Sequence, residues 1–302
     1  MQKRLVSGIR STEKIHIGNY LGALRNWVKL QDKYECFFFI ADLHALTTEK
    51  NPGKYTEDLA KTYLAVGLDT EKCIIFVQSQ VPQCTELAWI FNCLMPVSEL
   101  ERMTQYKDKK EISPNAGLLT YPSLMAADIL LYKAEFVPVG QDQAQHVEIT
   151  RKFARKFNKA YGQVFPEPKV IFSVGALHAT PMLMSLINPE KKMSKSEPKG
   201  CLFLDDSEKT IREKIQKAVS TEAGIKNLIA LANAFDADLK PEPNNYADFK
   251  KKLTQVIIKK LLLIQERKEK IKNINQILED GRKQASKISQ ETLREVKNKI
   301  GL

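Results

Sequence analysis

Cys36-Phe37-Phe38-Phe39-Ile40 is the run that decides the fold. A strand with one face in water alternates apolar and polar side chains, because successive residues point to opposite faces. This run has no polar residue in either phase. It therefore predicts a strand covered on both faces, as in a parallel sheet flanked by helices. Extended to Ala41, it is still far short of the ~20 apolar residues of a membrane-spanning helix. Working outward, Arg4-Leu5-Val6-Ser7-Gly8, Cys73-Ile74-Ile75-Phe76-Val77 and Phe136-Val137-Pro138-Val139 read as further strands. Helical spacing fills residues 19–30, 58–66, 85–94 and 118–132, with Thr85 the expected N-cap of the third. Ser98 and Glu101 stand at capping-box spacing before another helix. This alternation predicts an α/β fold built on a doubly wound parallel sheet.

The last hundred residues read differently. Residues 208–219, 225–233, 246–271 and 275–300 predict helix, broken by Lys240-Pro241-Glu242-Pro243-Asn244-Asn245. Charge is uneven as well. Residues 250–302 hold 15 Lys and Arg against 6 Asp and Glu, most of the chain's net charge of +11, whereas residues 205–249 hold 6 basic and 9 acidic side chains. At ~150 residues per domain, 302 residues suggest two units. The expected division is a sheet-containing domain over 1–204 and a C-terminal all-helical domain over 205–302. A hydrophobic content of 43% and a charged content of 27% exclude wholesale disorder. Behind Met1-Gln2-Lys3-Arg4 no apolar signal core develops, so a cytoplasmic location is expected. The five cysteines (Cys36, Cys73, Cys84, Cys93, Cys201) form no CxxC pair and read as buried thiols, not as a disulfide framework or a metal site.

Two short patterns carry chemistry. His16-Ile17-Gly18-Asn19 follows the first strand and opens the first helix. A helix start offers unpaired N–H groups and a positive dipole end, which suit a phosphate. Gly18 lets a ligand approach the backbone, and His16 and Asn19 supply donors. Lys191-Lys192-Met193-Ser194-Lys195-Ser196 lies far downstream and can neutralise a polyphosphate. Each pattern alone is weak: one is equally a plain helix start, the other a solvated basic loop.

Together, in this order on an α/β chain, they resemble the HIGH and KMSKS signatures of class I aminoacyl-tRNA synthetases. The resemblance extends along the chain to the bacterial tryptophanyl-tRNA synthetase family. It is carried by Asp42-Leu43-His44-Ala45, Glu99-Leu100-Glu101-Arg102-Met103-Thr104-Gln105 and Gly117-Leu118-Leu119-Thr120-Tyr121-Pro122. It is carried also by Leu124-Met125-Ala126-Ala127-Asp128-Ile129-Leu130-Leu131-Tyr132 and by Val137-Pro138-Val139-Gly140-Gln141-Asp142-Gln143 with His146.

The resemblance implies a Rossmann-like catalytic domain that joins L-tryptophan to ATP, releases pyrophosphate, and passes tryptophan to tRNA(Trp). Such in-line attack on a phosphorus needs positioning and charge stabilisation but no protein nucleophile. His16, Asn19, Lys192 and Lys195 would act on the phosphates, with Lys109 as a further phosphate contact. Arg10, Ser11, Thr12, Gly18, Gly140, Gln141, Asp142, Leu183, Met193, Ser194 and Ser196 would complete the ATP site, Met193 lying against adenine through its backbone. Mg²⁺ would ride on the ATP phosphates without a protein cage. Asp128 would accept the indole N–H, which can only donate. An Asp there could equally cap the turn that follows it. Tyr121 and Gln143 would hold the amino group, and Val6, His44, Met125, Val137 and Val139 would line the pocket, although apolar residues of this kind also make ordinary core. The helical tail would bind tRNA, and a homodimer would meet through the segment 96–103 with Val97, Leu100 and Met103, although core packing would look the same.

One stretch departs from the family. Arg10-Ser11-Thr12-Glu13-Lys14 has Ser11 where Pro is usual, Glu13 where Gly is usual, and Arg10 where Gln is frequent. Rival readings are a tyrosyl-tRNA synthetase, a tRNA-independent adenylate-forming enzyme such as a pantothenate synthetase, and a synthetase-like paralogue without catalysis.

Overall fold

The computed structural model describes residues 2–12, 14–109, 111, 115–140, 144–172, 183–242 and 245–302, with only the backbone of Lys109 and Phe172. Glu13, Gln141, Asp142 and Gln143 of the sequence reading lie outside the described residues.

Among the described residues five strands are found: β1 (Arg4–Arg10), β2 (Glu35–Ala41), β3 (Cys73–Val77), β4 (Phe136–Val139) and β5 (Lys169–Phe172). They form one parallel sheet in the order β3-β2-β1-β4-β5. The continuous apolar run of β2 has the expected cause. Cys36, Phe38 and Ile40 enter the core on one face, Phe37, Phe39 and Ala41 the core on the other. Trp27 stacks on Phe38 at 4.6 Å, and Tyr132 on Phe37 at 4.8 Å from the opposite side.

The sheet grows from β1 to β2 and β3, then returns to add β4 and β5 on the other side of β1. Strand order therefore reverses between β1 and β4. A crevice opens at the carboxyl ends of these two strands, the usual ligand position in an open α/β sheet.

The first helical stretch runs as α1 (Ile17–Asn19), a π-turn (Tyr20–Leu24) and α2 (Arg25–Leu30). A π-turn leaves carbonyls out of register, and the buried Asn26 amide donates to those of Leu21 at 3.5 Å and Gly22 at 3.1 Å. Next come α3 (Asp42–Ala45), α4 (Thr56–Ala65), α5 (Gln83–Leu94), α6 (Val97–Glu101) and α7 (Thr104–Lys109). α8 (Ala116–Leu130) and α9 (Ala144–Tyr161) complete the first two-thirds of the chain.

Two capping expectations are corrected. Pro82 caps α5, so Thr85 lies inside the helix and its hydroxyl donates back to the Pro82 carbonyl at 2.8 Å. Pro96 caps α6, which places Ser98 inside the helix and removes the Ser98–Glu101 box. In both cases the proline fixes the φ of a helix start and leaves no donor to satisfy. α9 and β5 were not anticipated. The amphipathic spacing of Val147, Thr150, Phe153, Ala154 and Phe157 was the available signal for α9. β5 is only four residues long.

Past residue 205 the described residues form α10 (Glu208–Lys217), α11 (Glu222–Ala234), α12 (Tyr246–Lys270) and α13 (Ile274–Ile300). α10 to α12 bury Ile211, Leu228, Leu253 and Leu261 in the same core as one face of the sheet. α13 covers the edge strand β3. A Cβ on Gly281 would stand 1.8 Å from the Ile75 carbonyl oxygen, so only glycine lets this helix approach the strand. That contact shields an edge that would otherwise pair with another chain. Four cysteines are buried, whereas Cys93 is exposed on α5.

Candidate active site

The crevice between β1 and β4 opens into a cleft of about 900 Å³. Its two ends differ in chemistry. At one end His16 caps α1, with Nδ1 accepting the Gly18 N–H at 3.0 Å, and Asn19 Oδ1 accepts the His16 N–H at 3.4 Å. A Cβ on Gly18 would meet the His16 ring at 2.6 Å. The glycine is therefore required first by the histidine that folds over it, before any ligand arrives. Burial, then the charges of Lys195 and Lys192, depress the His16 pKa to about 4. The ring is neutral at pH 7, and with Nδ1 accepting, its proton sits on Nε2.

The first signature pairs through its backbone with the segment that follows the second. Ile17 N–H donates to the Leu202 carbonyl at 2.9 Å, and Leu204 N–H to that of Ile15 at 2.9 Å. Just upstream, Met184 pairs antiparallel with Lys192, and Met193 N–H donates to the Leu183 carbonyl at 2.9 Å. The Met193 N–H is thereby already engaged. Lys195 Nζ donates to the Thr12 hydroxyl at 3.0 Å, and the hydroxyls of Ser194 and Ser196 lie 2.9 Å apart. Arg10, Thr12, His16, Asn19, Gly140, Lys192, Met193, Ser194 and Lys195 all stand on the cleft wall. Ser11 does not. It is fully buried and its hydroxyl has no hydrogen-bond partner, so its side chain is turned away from the cleft where an ATP contact was expected.

The other end is apolar around one acid. Asp128, on α8, is 3% exposed. Its Oδ2 accepts from Gln78 Nε2 at 2.7 Å and lies 2.8 Å from His44 Nε2. The carboxylate thus reaches across to α3 and to the turn after β3, and it does not cap the turn that follows. Burial pushes its pKa up, while the hydrogen bonds from His44 and Gln78 pull it down. Asp42 braces the same loops, accepting from the N–H of Ser79 at 3.0 Å and from the Ser79 hydroxyl. Val6, Met125, Val137 and Val139 line this end, together with Phe39 and Ile129, which the sequence reading did not single out. The Tyr121 hydroxyl lies 2.9 Å from His146 Nε2.

Gln78 was missed altogether, fifty residues from its partner. The one available signal was its place directly after a parallel strand, where α/β sites gather. Leu100 and Met103, expected at an interface, are buried in this chain's own core, whereas Val97 is 58% exposed. Among the described residues no group of three or more His, Cys, Asp or Glu is arranged to hold a metal ion.

A parallel sheet with a cleft at its switch point, two converging lysine and helix-start motifs, and a buried acid define a class I synthetase type of nucleotide-binding fold. A family model described as tRNA synthetases class I (W and Y) matches residues 2–299. The tryptophan–tRNA ligase of Caldanaerobacter subterraneus subsp. tengcongensis is 44% identical over 99% of this chain and 98% of the relative. That of Halalkalibacterium halodurans is 41% identical over 100% and 98%. The crystal structure of tryptophanyl-tRNA synthetase from Mycoplasma pneumoniae superposes with a TM-score of 0.89 at 32% identity, covering 100% of this chain and 98% of that one. The Campylobacter jejuni tryptophanyl-tRNA synthetase complexed with ADP and tryptophan gives 0.85 at 32% identity, covering 99% and 100%. The chain belongs to the class I tRNA synthetases for tryptophan and tyrosine, within their tryptophan–tRNA ligase branch.

Proposed function

We propose that this chain is an ATP-dependent tryptophan–tRNA ligase that forms tryptophanyl-adenylate, releases pyrophosphate, and transfers tryptophan to tRNA(Trp). The observation that carries this reading is one cleft with a cationic end at His16, Asn19, Lys192 and Lys195 and an apolar end closed by Asp128. Relatives named tryptophan–tRNA ligase over the whole chain support it.

MgATP is the nucleotide substrate, as the ADP held by the Campylobacter relative supports. Its phosphates face the α1 start and Lys192 and Lys195, and Lys109 is a further candidate contact. The neutral His16 donates through Nε2, which suits an anionic phosphate without adding a full charge. The tryptophan carboxylate attacks the α-phosphorus in line, forming the acyl–phosphate bond as the bond to pyrophosphate breaks. The lysines stabilise the charge that moves onto the leaving pyrophosphate. Ribose contacts fall to Gly140 and Asp142, the amino group to Tyr121 and Gln143, and the indole N–H to Asp128. A site that leaves a buried acceptor unpaired rejects a ligand lacking the donor.

Residues 205–302 form the tRNA-binding unit, working in the cytoplasm with the 1–204 catalytic unit. The basic surplus of α12 and α13 supports this through the phosphate backbone it would meet. A homodimer meets through Trp89, 68% exposed, with Cys93 one turn along α5 and Val97 beyond its end. The test is amino-acid-dependent ATP–pyrophosphate exchange with tryptophan and tyrosine side by side. Exchange with tryptophan alone supports the reading, exchange with tyrosine alone transfers it to the tyrosine branch, and none with either refutes activation.

A further inference from the structure

Two donors converge on the Asp128 carboxyl group from two separate elements. His44 Nε2 comes from α3 at 2.8 Å and Gln78 Nε2 from the turn after β3 at 2.7 Å. The other ionisable groups that sense its charge are Cys84 on α5, Asp42 at the start of α3 and Tyr132 beyond α8. Burial opposes the charged form, so the donors are what favour a carboxylate here.

Gln78 does two things at once. Its Oε1 accepts the His44 backbone N–H at 3.4 Å, and its Nε2 donates to Asp128. The first bond fixes which way the amide faces, because a flipped amide would turn an oxygen toward the carboxylate and a donor toward an N–H. The backbone of His44 and the carboxylate that its ring meets are thus tied through one side chain. Gln78 and His44 both take Oδ2, and Asp128 itself stands on the cleft wall.

We infer that Gln78 is a positioning residue for tryptophan selection, holding Asp128 and His44 in register so that the carboxylate meets the indole N–H. This rests on the reading of Asp128 as the indole acceptor. Gln78 does not line the cleft and touches no substrate; it acts through Asp128.

The experiment measures kcat/KM in ATP–pyrophosphate exchange for tryptophan and for β-(3-benzothienyl)alanine, in which sulfur replaces the indole N–H. The wild type is compared with Gln78→Met, which keeps the length and removes the donor, and with Gln78→Glu, which keeps the shape and reverses the hydrogen-bond polarity. The wild type favours tryptophan. In Gln78→Met that preference falls about tenfold, the cost of a loosened charge-assisted hydrogen bond, while KM for ATP stays within about twofold. In Gln78→Glu the loss is larger at about pH 8 than at about pH 6, because the proton that two adjacent carboxyl groups share at the lower pH restores a donor toward Asp128. A merely structural role lowers both substrates together and leaves their ratio unchanged. That outcome in a folded variant overturns the inference and spares Asp128. If the wild type itself shows no preference for the N–H, the Asp128 reading falls and takes the inference with it. Should Gln78→Met fail to fold, the isosteric Gln78→Glu decides alone.

Discussion

The two ends of the cleft solve opposite problems. At the phosphate end the donors are a neutral histidine and lysines reaching in from an exposed loop, the N–H groups of Ile17 and Gly18 being already paired within the chain. At the indole end a single buried carboxylate is already paired by residues from two other elements before a ligand arrives. The first arrangement follows charge as it moves during the reaction, and its groups can relax because water reaches them. The second discriminates, because a buried acceptor left unpaired is expensive and cannot be rescued by solvent. On the proposed reading, rate therefore belongs to one end and choice of substrate to the other.

That division is broken most easily at Lys195. Replacement by Ala removes a charge aimed at the leaving pyrophosphate and is expected to lower the exchange rate about 10²–10³-fold, the usual cost of losing one preorganised transition-state donor. KM for tryptophan should hardly move. A large rise in that KM would mean that the two ends are not separable. Asp128→Asn is the complementary change and should be smaller, raising KM for tryptophan about tenfold or more while leaving KM for ATP in place. Steady-state exchange with each substrate varied in turn reads both variants. If Asp128→Asn instead lowers kcat alone, the acid is not an acceptor for the amino acid.

The ends also differ in how far they could be read from the sequence. The phosphate end is local: His16, Gly18 and Asn19 are neighbours in the chain, and their capping geometry follows from their order. The sheet was legible for the same reason, since β2 announces its two buried faces in five consecutive side chains. Ser11 stands where this chain departs from the family pattern, and its burial was not legible from that departure. The indole end is non-local. Gln78, His44 and Asp128 meet only through the order of the strands, and no periodicity brings residue 78 to residue 128. Composition could not separate wall from core either, because Val6 and Val137 are buried whether or not a ligand lies against them.

The smallest effect sharpens the comparison through pH. His16 is held at a pKa of about 4, against 6.5 for a free histidine, by burial first and then by Lys195 and Lys192. Between those two values the unfolded chain binds a proton that the folded chain refuses. The contribution of His16 to stability is thus fully present above about pH 6.5 and is lost as pH falls toward about 4. His16→Asn keeps a capping side chain and removes the titration. Its denaturation midpoint should therefore fall less steeply than that of the wild type between about pH 6.5 and about pH 4.5. Lys195→Ala should raise the His16 pKa, since a positive neighbour has gone, yet burial should keep it below that of a free histidine. Imidazole proton shifts followed by NMR through the titration read this directly. A His16 resonance titrating near 6.5 in the wild type would mean that the ring is solvated and charged when it meets phosphate. The phosphate end would then bind by attraction of full charges alone, and the contrast with the pre-paired indole end would rest on the lysines.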